Sequence, residues 1–203
     1  MEQDMSETIR LGLLGNNLGR SRAKNLHEML GELYGLDVTY EPIDLIDQPA
    51  PVVIEQELKR CRKLGFRGVN VTHPYKRDAF NCVTTMPRFP AGLTSVNTVL
   101  FNDETMLADN TDFSGCCRGF EKLFGKGRRP GRVLMLGAGG VGVAIAYALR
   151  EAAAEELIIA DIDEQLATDL AGQLDDRTMS ARVAGPDLRA EMDGVDGLVN
   201  ATP

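Results

Sequence analysis

The sequence predicts an α/β protein of two domains, and three observations carry that expectation. Short apolar runs alternate with stretches of helical period almost from end to end, the pattern of strands joined by helical crossovers. The 203 residues suit two small domains better than one. Between the two halves lies GKGRRPGR, rich in glycine, proline and arginine as domain linkers are. The expected division is 1–125 and 126–203.

Each element has its own local reason. Thr8–Gly15 is a short apolar strand ending at a glycine, and Leu26, Met29, Leu30 and Leu33 then mark one face of an amphipathic helix closed by Gly35. Val38–Leu45 is a second strand, placed at an edge or a bulge by Pro42. Ile54, Leu58 and Cys61 recur at helical spacing before Gly65, and Arg67–Thr72 is a third strand. A helix is expected from Pro74, a residue suited to the first helical position. Ser95–Phe101 and Thr105–Ala108 read as a hairpin around Asn102-Asp103-Glu104, and Asp112–Phe124 as a helix. The second half opens with RVLMLGAGG, a buried strand running into glycines, and continues with an alanine-rich helix. LIIAD follows as a strand, Asp163–Leu174 as a helix and LVNA as a last short strand.

Composition narrows the function. With 43% hydrophobic and 26% charged residues the chain has the makings of a real core. A net charge of −8 argues against nucleic acid or an anionic membrane surface as partner. No apolar run reaches the length of a membrane span, and the start MEQDMSETIR is unlike a signal peptide. Cys61, Cys82, Cys116 and Cys117 form no CxxC pair, and His27 and His73 have no metal-ligand spacing. Reduced thiols, no metal and a cytoplasmic location are expected.

Gly137-Ala138-Gly139-Gly140-Val141-Gly142 satisfies G-x-G-x-x-G, follows a buried strand and opens a helix. Glycines in that place let backbone N–H groups approach a pyrophosphate at a helix N-terminus. Asp161 ends the next strand, where a carboxylate accepts hydrogen bonds from a ribose diol and repels a 2′-phosphate. The following IDEQLATDLAG offers no arginine or lysine to a phosphate, so a Rossmann domain taking NAD in preference to NADP is expected. A glycine turn that only packs helix on strand is the plainer alternative.

VNVTHPYK, residues 69–76, begins as a strand and ends on a lysine at the start of a helix. The positive end of the helix dipole favours a neutral amine there, which makes Lys76 a candidate general base. Asp112, at the start of another helix, is a candidate partner. On spacing alone, both also read as solvated surface charges.

VNVTHPYK, SVNT, DNTDFSG, LGAGGVG and VNATP, in that order, resemble the shikimate dehydrogenase family, over nearly the whole chain. SRAKNLHE, NVTHPYK, GAGGVG and ADID are most similar to its NAD-preferring quinate/shikimate branch. The resemblance implies an N-terminal substrate domain facing a Rossmann domain across a cleft. It implies that Lys76 exchanges a proton with a ring hydroxyl as hydride passes to the nicotinamide, with Asp112 holding hydroxyl and lysine. Thr72 and Asn97 are implied to bind substrate hydroxyls and Ser21 its carboxylate, although a strand end, a turn residue and a helix N-cap would explain the three as well. Gly137, Ala138, Gly139, Gly140, Val141, Asp161, Asn200, Ala201 and Thr202 are implied to bind the cofactor. The implied substrate is a small anionic hydroxylated ring carboxylate of the shikimate pathway of aromatic amino acid biosynthesis.

Two departures qualify the match. Ala23 stands where the family has a second hydroxyl residue, and Lys24 where proline is common. One lost hydrogen bond to a carboxylate is worth roughly 1.5–3 kcal/mol, or about one to two decades of affinity. Arg22 or Lys24 can compensate, or the substrate differs at that end, as aminoshikimate would. The chain also stops at Pro203, inside NATP, where family members continue. A C-terminally incomplete Rossmann sheet and weak turnover by this chain alone are expected. A non-catalytic metabolite- or nucleotide-binding module and a folate-linked methylene dehydrogenase are the competing readings.

Overall fold

A computed structural model describes residues 8–49, 51–102, 104–125 and 128–202. Residues 1–7 of the acidic start, Asp103 of the hairpin turn, Lys126 and Gly127 of the linker, and Pro203 lie outside the described residues.

The elements run β1 (Ile9–Gly15), α1 (Ala23–Leu33), β2 (Val38–Asp44), α2 (Ile54–Lys63), β3 (Gly68–Val71) and α3 (Lys76–Phe80). β4 (Thr84–Thr85), β5 (Thr98–Phe101), β6 (Met106–Asp109) and α4 (Thr111–Phe124) follow. The remainder is β7 (Arg132–Leu136), α5 (Gly140–Glu151), β8 (Glu156–Ala160), α6 (Glu164–Leu174), β9 (Ser180–Val183), α7 (Leu188–Glu191) and β10 (Gly197–Asn200). Two compact units result. The first runs up to Phe89 and includes Thr94–Asp109; the second takes Pro90–Leu93 and the chain from Asn110 onward. The linker composition marks residue 125, whereas the units divide at Asp109, because α4 packs along α5.

The first sheet has the order β2-β1-β3-β5-β6-β4. β1 pairs in parallel with β2 and β3, and the β5–β6 hairpin joins antiparallel to β3. β2 is an edge strand, where a proline such as Pro42 costs no ladder bond. One face of the sheet buries Leu14, Val69 and Val71 with Ile54, Leu58 and Cys61 of α2. Burial pushes the Cys61 thiol up to about 11, and none of the four cysteines is in a disulfide.

Helix α1 forms where its period predicts, but it turns the other way. Leu26, Met29, Leu30 and Leu33 are between 38% and 74% exposed. The side facing the sheet carries Ala23, His27 and Gly31. A Cβ on Gly31 would fall 2.7 Å from Val38 Cγ2. Small residues bring the helix axis close to β2, and that approach outweighs the longer apolar stripe.

The second sheet is parallel throughout, in the order β10-β7-β8-β9. Val133, Leu134, Met135, Leu157, Ile158 and Ile159 fill its centre, and α5 is buried over most of its length because alanines let it lie close. At the far end of the strands, Arg132 and Arg182 each donate to Glu156 (2.7 and 2.9 Å), and Arg182 also forks onto Glu191 (2.9 and 2.7 Å). Hydrogen bonds from Arg182 and then from the Gly185 N–H hold the Glu191 carboxyl down to about 2. The Arg132 hydrogen bond, with that of Arg182, lowers Glu156 as well. A carboxylate depressed on folding contributes stability that is complete above its unfolded value and is lost as pH falls through the folded one. Urea unfolding followed by circular dichroism should therefore show wild type losing stability between about pH 4.5 and 2, with a shallower loss in Glu191→Gln. Parallel curves for the two proteins would show that the ion pair contributes nothing.

Candidate active site

In the first unit the C-terminal ends of β1, β2 and β3 meet. Thr72 N–H donates to the Leu14 carbonyl (2.9 Å), Asn16 N–H to His73 (3.0 Å) and Leu45 N–H to Gly15 (2.9 Å). The Asp44 carboxylate accepts from the N–H groups of Asn17, Leu18 and Ile46, and these bonds, led by that of Leu18, hold its carboxyl below the usual range. This anchors a 3-10 turn, Leu18–Arg20, that delivers Ser21. The N-cap of α1 is Arg22, and Ser21 Oγ accepts instead from the Ala23 N–H at 3.2 Å. Ala23 begins the helix and brings no hydroxyl; Lys24 lies 3.9 Å from Glu28 on the helix surface.

Thr72 follows β3 with its methyl against Gly15, where a Cβ would fall 2.3 Å from Thr72 Cγ2. The His73–Pro74 peptide is cis, and Tyr75 N–H donates to the Thr72 carbonyl at 3.0 Å to close the turn. The helix therefore begins at Lys76 and not at Pro74. Lys76 is 8% exposed, and among the described residues it is the one buried charge. Lysine is almost never buried without partners, so this placement is a structural cost that a surface lysine would not incur.

Asn97 is also buried. Val96 N–H donates to the Lys76 carbonyl (3.0 Å) and Val71 N–H to the Asn97 carbonyl (2.8 Å), which gathers Thr72, Lys76 and Asn97 at one end of the sheet. Around Asn97 stand three side chains that the sequence reading passed over. Tyr40 O–H donates to Asn70 Oδ1 (2.8 Å), Asn70 Nδ2 to Thr98 Oγ1 (3.1 Å), and Thr98 O–H to Asn97 Oδ1 (3.1 Å). One signal was available, an asparagine between two buried valines in VNV. Asp112 belongs to the second unit, in the first turn of α4, whose buried N-cap Asn110 accepts from Phe113 N–H at 3.0 Å.

The second unit concentrates its glycines where β7 and β10 adjoin, the point at which strand order reverses and open α/β sheets bind ligands. Gly137 leaves β7 at φ +100°, and a Cβ there would come within 2.8 Å of the Ala201 backbone. Ala201 N–H donates to the Leu136 carbonyl (2.7 Å), while Asn200 Oδ1 accepts from the N–H and the hydroxyl of Thr202 (3.0 and 2.6 Å). Asn200, Ala201 and Thr202 thus flank the glycine turn. Gly139 is the N-cap of α5, Gly140 and Val141 open that helix, and the space where a Gly139 Cβ would lie is clear. Asp161 Oδ2 accepts from the Ala138 N–H at 2.6 Å and Oδ1 from Asp163 N–H at 2.9 Å, which fixes the carboxylate beside the loop. An open glycine edge, a helix N-terminus and a fixed carboxylate fit a dinucleotide. Among the described residues, no group of three or more His, Cys, Asp or Glu could hold a metal ion, and no helix is long and apolar enough to cross a membrane.

A family model, the shikimate dehydrogenase substrate binding domain, matches residues 13–99, which include Ser21, Thr72, Lys76 and Asn97. A shikimate dehydrogenase (NADP(+)) of Pseudarthrobacter chlorophenolicus is 37% identical over 203 residues, covering 98% of this chain and 69% of the relative. A quinate/shikimate dehydrogenase (NAD(+)) of Corynebacterium efficiens is 35% identical over 202 residues, covering 97% and 71%. The quinate dehydrogenase from Corynebacterium glutamicum, solved in complex with NAD, superposes with a TM-score of 0.83 at 33% identity, covering 97% of this chain and 71% of that one. With this identity and coverage, the chain belongs to the shikimate/quinate dehydrogenase family of oxidoreductases.

Proposed function

We propose that the protein oxidises a ring hydroxyl of shikimate, quinate or a close analogue to the 3-dehydro ketone, reversibly, with Lys76 as acid/base, Asp112 as its partner and NAD as the preferred cofactor. The observation that carries this reading is the buried Lys76 beside Thr72 and Asn97 at the end of the first sheet. The Nζ of Lys76 would take the hydroxyl proton as the C=O bond forms. The hydride leaves the same carbon with its electron pair, and a bound nicotinamide dinucleotide supplies the acceptor. Asp112 hydrogen-bonds the reacting hydroxyl and orients the lysine. Thr72 and Asn97 hold hydroxyls of the ring, and Ser21 meets the carboxylate. Ala23 leaves that end one donor short, so aminoshikimate belongs in the test.

Gly137, Ala138, Gly139, Gly140 and Val141 would hold the pyrophosphate, with Asn200, Ala201 and Thr202 beside them and Asp161 on the adenosine ribose. The negative charge of Asp161 and the lack of any arginine or lysine from Ile162 to Gly172 support NAD over NADP.

Formation of reduced cofactor with quinate, shikimate and aminoshikimate, each with NAD and NADP, tests the whole reading. Turnover of at least one substrate with NAD is expected, at a low rate for this chain alone; silence across the panel from folded protein that binds NAD would sink it. Asp161→Asn can keep the acceptor for the Ala138 N–H and removes the charge. It should lower NAD efficiency about tenfold or more and raise that of NADP. Equal use of the two cofactors by wild type would remove the charge argument.

A further inference from the structure

The end of the first sheet away from Thr72 and Lys76 concentrates positive charge. There β1 begins, α2 turns into β3 and β5 ends, and between them opens a cavity of about 590 Å3. Arg10, Arg62, Lys63 and Arg67 line it, and among the described residues no aspartate or glutamate does. In a chain of net charge −8 this is a local reversal of sign. The frame of the cavity is tied together by its backbone. Arg67 N–H donates to the Arg10 carbonyl (2.7 Å), Phe101 N–H to the Arg67 carbonyl (2.9 Å) and Phe66 N–H to the Cys61 carbonyl (3.2 Å).

The four cations are not equivalent. Arg10 is occupied: its Nε and Nη2 both donate to Glu41 Oε1 (3.1 and 2.8 Å), Nη1 donates to the Leu64 carbonyl, and the guanidinium lies 4.6 Å from the centre of the Phe66 ring. On α2, Lys59 and Arg60 pair with Glu55 and Glu57. Arg62, Lys63 and Arg67 have no carboxylate at ion-pair distance among the described residues. The dipole of α2 favours Arg62 and Lys63 in its last turn. It does not account for Arg67, which stands just before β3 and faces the same cavity. Like charges gathered without a counter-charge repel, a cost that a bound anion offsets.

We propose that this cavity binds a small oxyanion of two or more negative charges, a polyphosphate or polycarboxylate group, held by the Arg62 and Arg67 guanidinium groups with Lys63 beside them. Guanidinium presents paired N–H donors that match either kind of oxyanion, and the volume lies within the roughly 300–1,000 Å3 of small-molecule pockets. The cavity shares no residue with the ring-substrate positions or with the glycine loop.

Pyrophosphate and citrate are the probes, titrated into the intact chain at low ionic strength and followed by calorimetry and by 15N–1H spectra. At least one should bind more tightly than about 1 mM, more weakly as salt rises, and should raise the melting temperature. The backbone amides of Gly65, Phe66 and Arg67 should shift, and the probe that moves them separates phosphoryl from carboxylate chemistry. Arg67→Gln, at an exposed position, should weaken binding about tenfold, and Arg62→Gln with Arg67→Gln about a hundredfold. Without ligand both variants should melt no lower than wild type, because no ion pair is broken. Affinity unchanged in the variants, or shifts confined to residues 137–141, would put the anion elsewhere and overturn the site. So would a response that chloride matches at equal ionic strength, or no response to either probe.

Discussion

Lys76→Met is expected to lower turnover by about 10²- to 10⁴-fold, the usual worth of a positioned acid/base group, while dinucleotide binding stays as in wild type. The side chain it replaces is the one buried charge among the described residues, and methionine fills similar space without one. Removing one member of a buried charged contact leaves its partners unsatisfied and costs stability, so the melting temperature should fall while the protein stays folded. A folded, cofactor-binding, inactive protein separates chemistry from collapse. Lys76→Arg sharpens the test, because a guanidinium keeps the charge but does not give up its proton. If the lysine works only as a cation for the substrate, arginine restores much of the rate; if it exchanges a proton, arginine is as inactive as methionine. Asp112→Asn should lower kcat more than it changes substrate KM. A cycle combining Lys76→Met with Asp112→Asn should be strongly non-additive if the two act as a unit. Independent losses that simply multiply would break the proposed pair.

Much of this arrangement was legible in the residues, and the parts that were not have identifiable causes. Periodicity located the long strands and helices because alternation and the 3.6-residue repeat are local properties. It could not say which side of α1 faces the sheet. Leu26, Met29, Leu30 and Leu33 make the stronger stripe, but Gly31 and Ala23 allow the closer approach to β2, and closeness is decided by the partner strand. β4, with two residues, is too short to show a period. β9 is an edge strand in which Ala181 alone is buried, so it carries no hydrophobic run to notice. The division at Asp109 escaped for a similar reason: GKGRRPGR has linker composition, but the packing of α4 on α5 is tertiary. At the candidate site, Lys76 and the glycine loop stood out because their residue types are costly where the pattern puts them. Tyr40, Asn70 and Thr98 are ordinary residues in ordinary strands. Only the pairing of β1 with β2 and β3, and of β3 with β5, makes them neighbours.

The glycine loop allows a paired experiment in which fold and cofactor binding come apart. A Cβ on Gly142 would lie 2.1 Å from the Gly137 carbonyl oxygen and 2.9 Å from its carbon, both backbone atoms that no rotamer change can move. In Gly142→Ala either α5 retreats from β7 or the turn at Gly137 opens. Overpacking of this kind costs about 1–3 kcal/mol, so the second unit should melt several degrees lower. The same movement displaces the N–H groups that would meet the pyrophosphate, and losing one or two charge-assisted bonds should weaken NAD binding by about a hundredfold. Gly139→Ala is the counterpart. Gly139 has φ −71° and ψ −171°, which alanine adopts freely, and the space its methyl would enter is clear. The folded protein should therefore be unaffected in melting temperature. If a pyrophosphate approaches along that edge, the methyl blocks it and NAD affinity falls with no loss of stability. Calorimetric titration of NAD beside thermal melts of the three proteins reads both effects. Full NAD affinity in Gly139→Ala would mean that the loop only packs α5 onto β7, and the cofactor assignment of Gly137, Gly139 and Gly140 would have to be withdrawn.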